Sequence, residues 1–192
     1  MRSVLIALVA LALLGLNAWA SVPDPDYCTV TGDGALYPKL TGVPPADGLF
    51  RADGDITIHV AAYGGTPIAN CEVLIVLNQA CGMCECASFD NPRYTDINGN
   101  VVMNLRWGNC CQMDAAATIY ADGHPIRSYN VINSLDWDGA TGDCAVILAD
   151  FGEFATRYGS ASVCSDISDG DGMVILPDFG LFASHYGSRC AQ

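Results

Sequence analysis

Val146-Ile-Leu-Ala-Asp-Phe-Gly-Glu-Phe-Ala-Thr-Arg-Tyr-Gly-Ser160 is answered 28 residues later by Val174-Ile-Leu-Pro-Asp-Phe-Gly-Leu-Phe-Ala-Ser-His-Tyr-Gly-Ser188, and the two stretches agree at 11 of 15 positions. Chance does not produce that agreement, so this part of the chain is a tandem duplication of one structural unit. The aromatic residues fall at i, i+3 and i+7 in each copy, as Phe151, Phe154 and Tyr158 and again as Phe179, Phe182 and Tyr186. That spacing places them on one face of a short helix. Asp150 and Asp178 open the two helices, where a negative charge suits the peptide dipole, and Gly159 and Gly187 close them. Pro177 stands just ahead of the second helix, where a missing N–H costs nothing.

Aspartates separated by glycine lie upstream of each predicted helix: Asp136, Asp138 and Asp143 in the first copy, Asp166, Asp169 and Asp171 in the second. Short carboxylates on a tight glycine-rich loop supply the six to eight oxygens that a hard cation such as Ca2+ requires. In the second copy Gly172 makes the turn, Met173 offers its backbone carbonyl, and Val174 anchors the loop in a core. Asp178 then closes the ring from the first turn of the helix.

These residues resemble the dockerin family, whose modules carry two EF-hand-like calcium loops, each followed by a helix. The resemblance covers about residues 133–190. It implies calcium ligation by Asp136, Asp138, Asp143 and Asp150 in one site, and by Asp166, Asp169, Asp171, Met173 and Asp178 in the other. Two departures stand out. From first to last aspartate the loops hold 15 and 13 residues, against about 12 in the standard loop, and Cys144 occupies the place of the first turn glycine. The resemblance further implies a cohesin-like partner, although Glu153, Thr156 and Arg157 match Leu181, Ser184 and His185 poorly as a duplicated surface.

The beginning of the chain reads as an export signal. Met1-Arg2-Ser3 precedes an apolar run from Val4 to Leu16 that is too short to span a bilayer, and Ala18-Trp19-Ala20 supplies the small residues of a cleavage site. A mature chain starting at Ser21 is expected to be secreted, extracellular or at the cell surface of a bacterium. Cleavage removes Arg2 and no acid, taking the formal net charge from -13 to -14. That charge argues against nucleic acid and anionic membrane as partners, and leaves cations, other extracellular proteins and polysaccharide.

All ten cysteines lie beyond the signal, which in an exported chain points to disulfides. Seven precede residue 132 and three follow it. Both counts are odd, so a bridge crossing that boundary is expected, because a thiol left over outside the cell would oxidise. Cys164 and Cys190 flank the second loop–helix unit and form the expected clasp. Cys81, Cys84, Cys86, Cys110 and Cys111 also admit a zinc site, but loop cysteines in a secreted β protein more often form bridges.

Residues 21–52, rich in proline and glycine, read as an extended leader. Beyond them the pattern is that of strands. Ile56, Ile58 and Val60 alternate with polar residues; Cys71 to Leu77 is a continuous apolar run, expected as a buried central strand; and Thr95-Asp96-Ile97-Asn98-Gly99 reads as a hairpin turn. Val101, Met103, Leu105 and Trp107 alternate again, and two more strands flank Asp122-Gly123. Short strands with regular turns predict an antiparallel sandwich. The Gly65-Thr66-Pro67-Ile68-Ala69 and Thr95-Asp96-Ile97-Asn98-Gly99-Asn100-Val101 segments resemble the bacterial Ig-like and transthyretin-like domains, over about residues 53–132. That resemblance implies a spacer or binding module.

The fold expected is therefore a mainly β N-terminal antiparallel sandwich of Ig-like kind, residues 53–132, followed by a small α-helical dockerin-like module with two loop–helix units, residues 133–192. No histidine sits beside a serine or cysteine in a nucleophile setting, so no catalytic residue is assigned. Trp107, Tyr120, Tyr129 and Trp137 read as core rather than as a sugar-binding face. The expected role is non-catalytic attachment or assembly with Ca2+. A subunit of an extracellular fibre or surface layer, and a carbohydrate-binding accessory to polysaccharide degradation, are the alternatives.

Overall fold

Alternating apolar residues at 56–60 form the strand they predict. The computed structural model describes residues 21–32, 49–51, 55–82, 84–85, 90–105, 107–137, 143–168 and 171–189, the backbone alone at 49–51 and 84–85. The expected signal segment, residues 1–20, lies outside them. Strand β3 (Asp55–His59) buries Ile56 and Ile58 and leaves Thr57 and His59 partly exposed. Strand β9 (Asn100–Asn104) buries Val101 and Met103, and the antiparallel register sets Ile56 opposite Met103 and Ile58 opposite Val101. These cross-strand apolar pairs lock the register, because a one-residue slip would turn them all to solvent. Strand β1 (Thr29–Gly32) pairs with the other edge of β3 and completes a three-stranded sheet.

A second sheet has the order β2-β12-β11-β6-β8, from β2 (Leu49–Arg51), β6 (Glu72–Leu77), β8 (Arg93–Tyr94), β11 (Cys111–Ala121) and β12 (His124–Asn133). Asp122 and Gly123 join β11 to β12 with φ of 44° and 77°. Two positive φ values in succession match the right-handed twist of the flanking strands, which is why Asp-Gly is a strong hairpin signal. Pairing is antiparallel throughout this sheet except between β12 and β2, which run parallel. Two short ladders complete the strands: β4 (Ala61–Ala62) with β5 (Thr66–Pro67), and β7 (Cys84–Glu85) with β10 (Trp107–Gly108). The two larger sheets share one buried core, to which Ile56, Ile58 and Met103 contribute from one side and Val73, Ile75 and Ile119 from the other.

Three sequence expectations change in this region. The 72–77 strand alternates instead of burying throughout: Val73, Ile75 and Leu77 face the core while Val76 is 43% exposed, since only one face of the sheet is covered. The turn at Thr95–Gly99 carries the chain from β8 in one sheet to β9 in the other, so it is a crossover between layers and not a hairpin. Part of the expected leader is packed: Pro23 and Cys28 are buried, and β1 continues into the sheet.

Helices α1 (Leu148–Arg157) and α2 (Leu176–His185) follow, and the described residues as a whole are β-rich with two short helices. Pro177 is the second residue of α2 and not just ahead of it, a place where an N–H would still lack a helical partner. A second core gathers Leu135, Trp137, Val146, Phe154, Ile167, Val174 and Phe182.

The seam between the two cores is tied in several ways. The Asn109 N–H donates to the Asp136 carbonyl at 2.9 Å, and the Trp107 indole N–H donates to the Asn133 carbonyl at 3.2 Å. Cys110 is bridged to Cys164 across a sequence separation of 54 residues, so one disulfide does cross residue 132. Closing a loop of that length constrains the unfolded chain by about 4 kcal/mol in the entropic treatment. This bridge corrects the Cys164–Cys190 expectation. Val163 packs on Val131 of β12, which brings the neighbouring turn to the start of β11 instead of folding it back on its own helix. A second bridge joins Cys81 to Cys111, and Cys144 is also disulfide-bonded. Three of the five cysteines that admitted a zinc site are thus consumed in bridges.

Candidate metal centre in the duplicated loop–helix units

The duplication in sequence is a pseudo-twofold arrangement in space. The Gly159 N–H donates to the Val174 carbonyl and the Val174 N–H to the Ser160 carbonyl, at 2.8 and 2.9 Å. Residues 28 positions away repeat the pattern: Gly187 N–H to the Val146 carbonyl and Val146 N–H to the Ser188 carbonyl, again at 2.8 and 2.9 Å. Each unit therefore ends by pairing with the start of the other. Gly159 and Gly187 adopt φ of 78° and 85°, a region that glycine enters without a Cβ clash.

Within each unit the last aspartate organises the loop. Asp150 is the third residue of α1 and is fully buried; its Oδ2 accepts the Ile147 N–H at 2.7 Å and its Oδ1 the Trp137 N–H at 2.5 Å. Asp178 holds the matching place in α2, accepting from Ile175 at 2.8 Å and from Ile167 and Ser168 at 2.7 and 2.9 Å. A carboxylate reaching back from the third helical position satisfies a donor that the helix start leaves open. One such group in each copy thereby joins both ends of its loop.

The first aspartate of each loop holds its turn. Asp136, 3% exposed, accepts the Cys144 N–H at 2.6 Å and the Asp143 N–H at 3.3 Å. Asp166, 4% exposed, accepts the Gly172 N–H at 2.7 Å. Cys144 and Gly172 are counterparts, and both are left-handed, with φ of 61° and 91°. Cysteine thus adopts the turn conformation that its place in the loop demands of glycine. Asp143 and Asp171 also match: each accepts from the N–H two residues on, Ala145 at 2.9 Å and Met173 at 2.8 Å. Asp138 and Asp169 lie outside the described residues.

Burial first, and then the charges of Asp150 and Asp143, push the Asp136 carboxyl up to about 7, against the pull of the Cys144 and Asp143 N–H groups. The structure thereby brings Asp143 and Asp150 within electrostatic reach of Asp136. Among the described residues, no group of three or more His, Cys, Asp or Glu side chains stands in metal-holding geometry.

Two further residues shape the centre: Trp137, which the sequence reads as core without placing it, and Gly108, which it does not single out. Trp137 stacks on both Phe154 and Phe182, with centroids 5.8 and 5.6 Å away, and those two rings stack on each other at 5.6 Å. Its position was legible, since Trp137 follows Asp136 as Ile167 follows Asp166. Gly108 is the other: a Cβ there would overlap the Asp136 carboxylate, so the first loop is seated directly on β10. No local motif announces that approach, because it depends on packing between distant segments. The aromatic faces also divide. Phe154 and Phe182 are buried, whereas Phe151, Phe179, Tyr158 and Tyr186 remain partly or largely exposed. Beside them lie two apolar grooves of about 330 and 370 Å³, one lined by Leu148, Phe151, Phe179, Phe182, Ala183 and Tyr186, the other by the counterparts of those residues. Trp107, Tyr129 and Trp137 are buried, so they form no sugar-binding face.

No family model, curated protein or solved structure matches the chain. Among the described residues no helix is long and apolar enough to cross a membrane.

Proposed function

We propose that this chain is an exported, calcium-stabilised attachment or assembly protein without catalytic chemistry of its own, in which an Ig-like sandwich carries a dockerin-like module. The observation behind the reading is the repeated burial of carboxylates at equivalent places. Asp136 and Asp150 in one copy, and Asp166 and Asp178 in the other, are each less than 5% exposed. At Asp136, burial and the neighbouring Asp150 and Asp143 charges oppose ionisation, and a divalent ion with a preference for oxygen would relieve both. Asp136, Asp138, Asp143 and Asp150 would hold one Ca2+; Asp166, Asp169, Asp171, the Met173 carbonyl and Asp178 would hold the other.

A bound ion supplies positive charge that draws each loop onto the start of its helix. The protein groups do the rest. Asp150 and Asp178 keep the loop ends together through their N–H contacts, and Trp137 with Phe154 and Phe182 transmits that order to the paired helices. Apolar residues exposed equivalently in both copies, Leu148 with Leu176 and Phe151 with Phe179, support assembly with another extracellular protein.

Heat unfolding of the mature protein across a calcium titration tests this reading. An ion that binds the folded form alone stabilises it by about 2.7 kcal/mol at 100 times its dissociation constant. The midpoint is expected to rise with calcium and to return on chelation. Asp171→Asn should remove much of that rise, because its carboxylate lies at the loop surface, whereas Asp96→Ala should keep it. Superimposable melting curves in calcium and in chelator would show the reading to be wrong.

A further inference from the structure

Cys28 and Cys71 are free thiols in the described structure, and both are buried in the core shared by the two large sheets. Both belong to that core, and the segments that carry them meet through a short relay of contacts. The Cys28 thiol lies 3.6 Å from the Ala61 carbonyl, and the adjoining Val60 carbonyl accepts the Ile68 N–H at 3.0 Å. The Ile68 carbonyl accepts the Thr95 hydroxyl at 2.7 Å, and that hydroxyl oxygen accepts the Cys71 N–H at 2.9 Å. We propose that Cys28 and Cys71 are joined by a disulfide in the mature protein, fastening the segment before β1 to the head of β6.

The inference rests on the export part of the proposed function, since an oxidising compartment is what keeps such a bond closed. The chemistry balances as ordinary thiol–disulfide exchange. The two thiols together lose two protons and two electrons to an external protein or glutathione disulfide; one S–S bond forms, and the external one is reduced to two thiols. Timing follows from the surroundings. Burial raises the Cys28 thiol, and burial with the nearby Asp122 and Cys28 pushes Cys71 up to about 12. The attacking species is the thiolate, so neither sulfur reacts readily once the core has closed. Exchange therefore belongs to folding, before the segment containing Asp24 and Cys28 settles against Ala61.

The consequence is mechanical. Asp24 N–H donates to the Ala61 carbonyl at 2.9 Å and β1 is a four-residue edge strand, so hydrogen bonds alone would let this end of the sheet fray. A covalent link at Cys28 converts the edge into a fixed boundary. The residues before β3 then pull on the core instead of peeling from it, which suits a protein that bears load outside the cell.

Peptide mapping of the full mature chain from its native producer decides the matter. The protein is unfolded in denaturant at mildly acidic pH with N-ethylmaleimide present, digested without reductant, and examined by mass spectrometry. The expected product is a peptide containing Cys28 linked to one containing Cys71, with neither carrying the label. Labelling of both, or a link from either to a different cysteine, overturns the inference. The Cys81–Cys111 and Cys110–Cys164 bridges serve as the internal control. If they are intact while Cys28 and Cys71 are labelled, this proposal alone fails; if all four of their sulfurs are labelled as well, the export reading fails with it. A second readout needs no mapping: a Cys28→Ala, Cys71→Ala double variant, which keeps the Cys81–Cys111 and Cys110–Cys164 bridges, should lose residues 21–32 to protease at least tenfold faster than the unaltered chain, and equal rates would count against the bond.

Discussion

The two loop–helix copies reach the same hydrogen-bonding pattern from loops of different length. Asp136 to Asp150 spans 15 residues and Asp166 to Asp178 spans 13, yet the first aspartate holds the turn N–H and the last holds the N–H groups at both loop ends in each. What differs is the surroundings. The first loop is pressed onto β10 at Gly108 and held by Asn109 just after it, while a Cβ at the second turn, Gly172, would meet nothing within 4 Å. A duplicated unit thus tolerates extra residues where the chain is held at fixed anchor points. Its copies diverge where one of them acquires a neighbour.

The sharpest test of equivalence lies in the shared aromatic stack. Phe154 is 2% exposed and Phe182 1%, and each stacks on the other and on Trp137. Truncating a buried phenylalanine removes its transfer free energy and leaves a cavity, about 3–5 kcal/mol in all. Phe154→Ala and Phe182→Ala are expected to cost similar amounts in denaturant unfolding of the helical region. A difference larger than about 2 kcal/mol would break the equivalence and assign the stack to one copy alone.

Substituting Gly108, on which the first loop is seated, and Gly172, which makes the turn of the second, should instead separate the copies. Gly108→Ala forces a methyl into the Asp136 carboxylate, and the backbone or the loop must move, at a cost of about 1–3 kcal/mol. Gly172→Ala meets open space but keeps φ near 91°, a strain of about 1 kcal/mol. Thermal midpoints should therefore fall further for Gly108→Ala. If Gly172→Ala proves the more damaging, the seat on β10 contributes little and the second loop is the tighter of the two.

Legibility in the sequence followed the range of the interactions. The duplication, the helix-closing glycines, the strand at 56–60 and the Asp122-Gly123 hairpin were all readable, because each is written in residues a few positions apart. The 95–99 turn shows the limit. Its Asp and Gly dictate a tight reversal, and the Asp96 Oδ1 does accept the Asn98 and Asn100 N–H groups at 2.8 Å. Whether such a reversal joins neighbours in one sheet or passes between sheets depends on which edges are already occupied. Cys164 is a parallel case: its sequence neighbours suggested a local clasp, but the Val163–Val131 contact carried it to Cys110. In the candidate centre the aspartates were legible from spacing, whereas the seat at Gly108 arises from a contact between strand and loop that no local pattern encodes.

Acidity gives the smallest effect and the one most specific to the first copy. The folded Asp136 carboxyl titrates near 7, above its ordinary value, because burial and the neighbouring Asp150 and Asp143 oppose its charge. The folded state therefore holds a proton that the unfolded chain has already released between the two values, and stability must fall as pH rises through that interval. Calcium-free protein is expected to melt a few degrees higher at about pH 5 than at about pH 8, with the slope largely removed in Asp136→Asn. Saturating calcium should flatten or invert the slope, since the ion takes the place of the proton beside the carboxylate. The Asp136→Asn comparison separates this titration from the general effect of net charge, which acts on both variants alike. A slope that persists unchanged in Asp136→Asn would place its origin elsewhere, and with it would go the argument that burial and the Asp150 and Asp143 charges hold the first-loop carboxyl against ionisation.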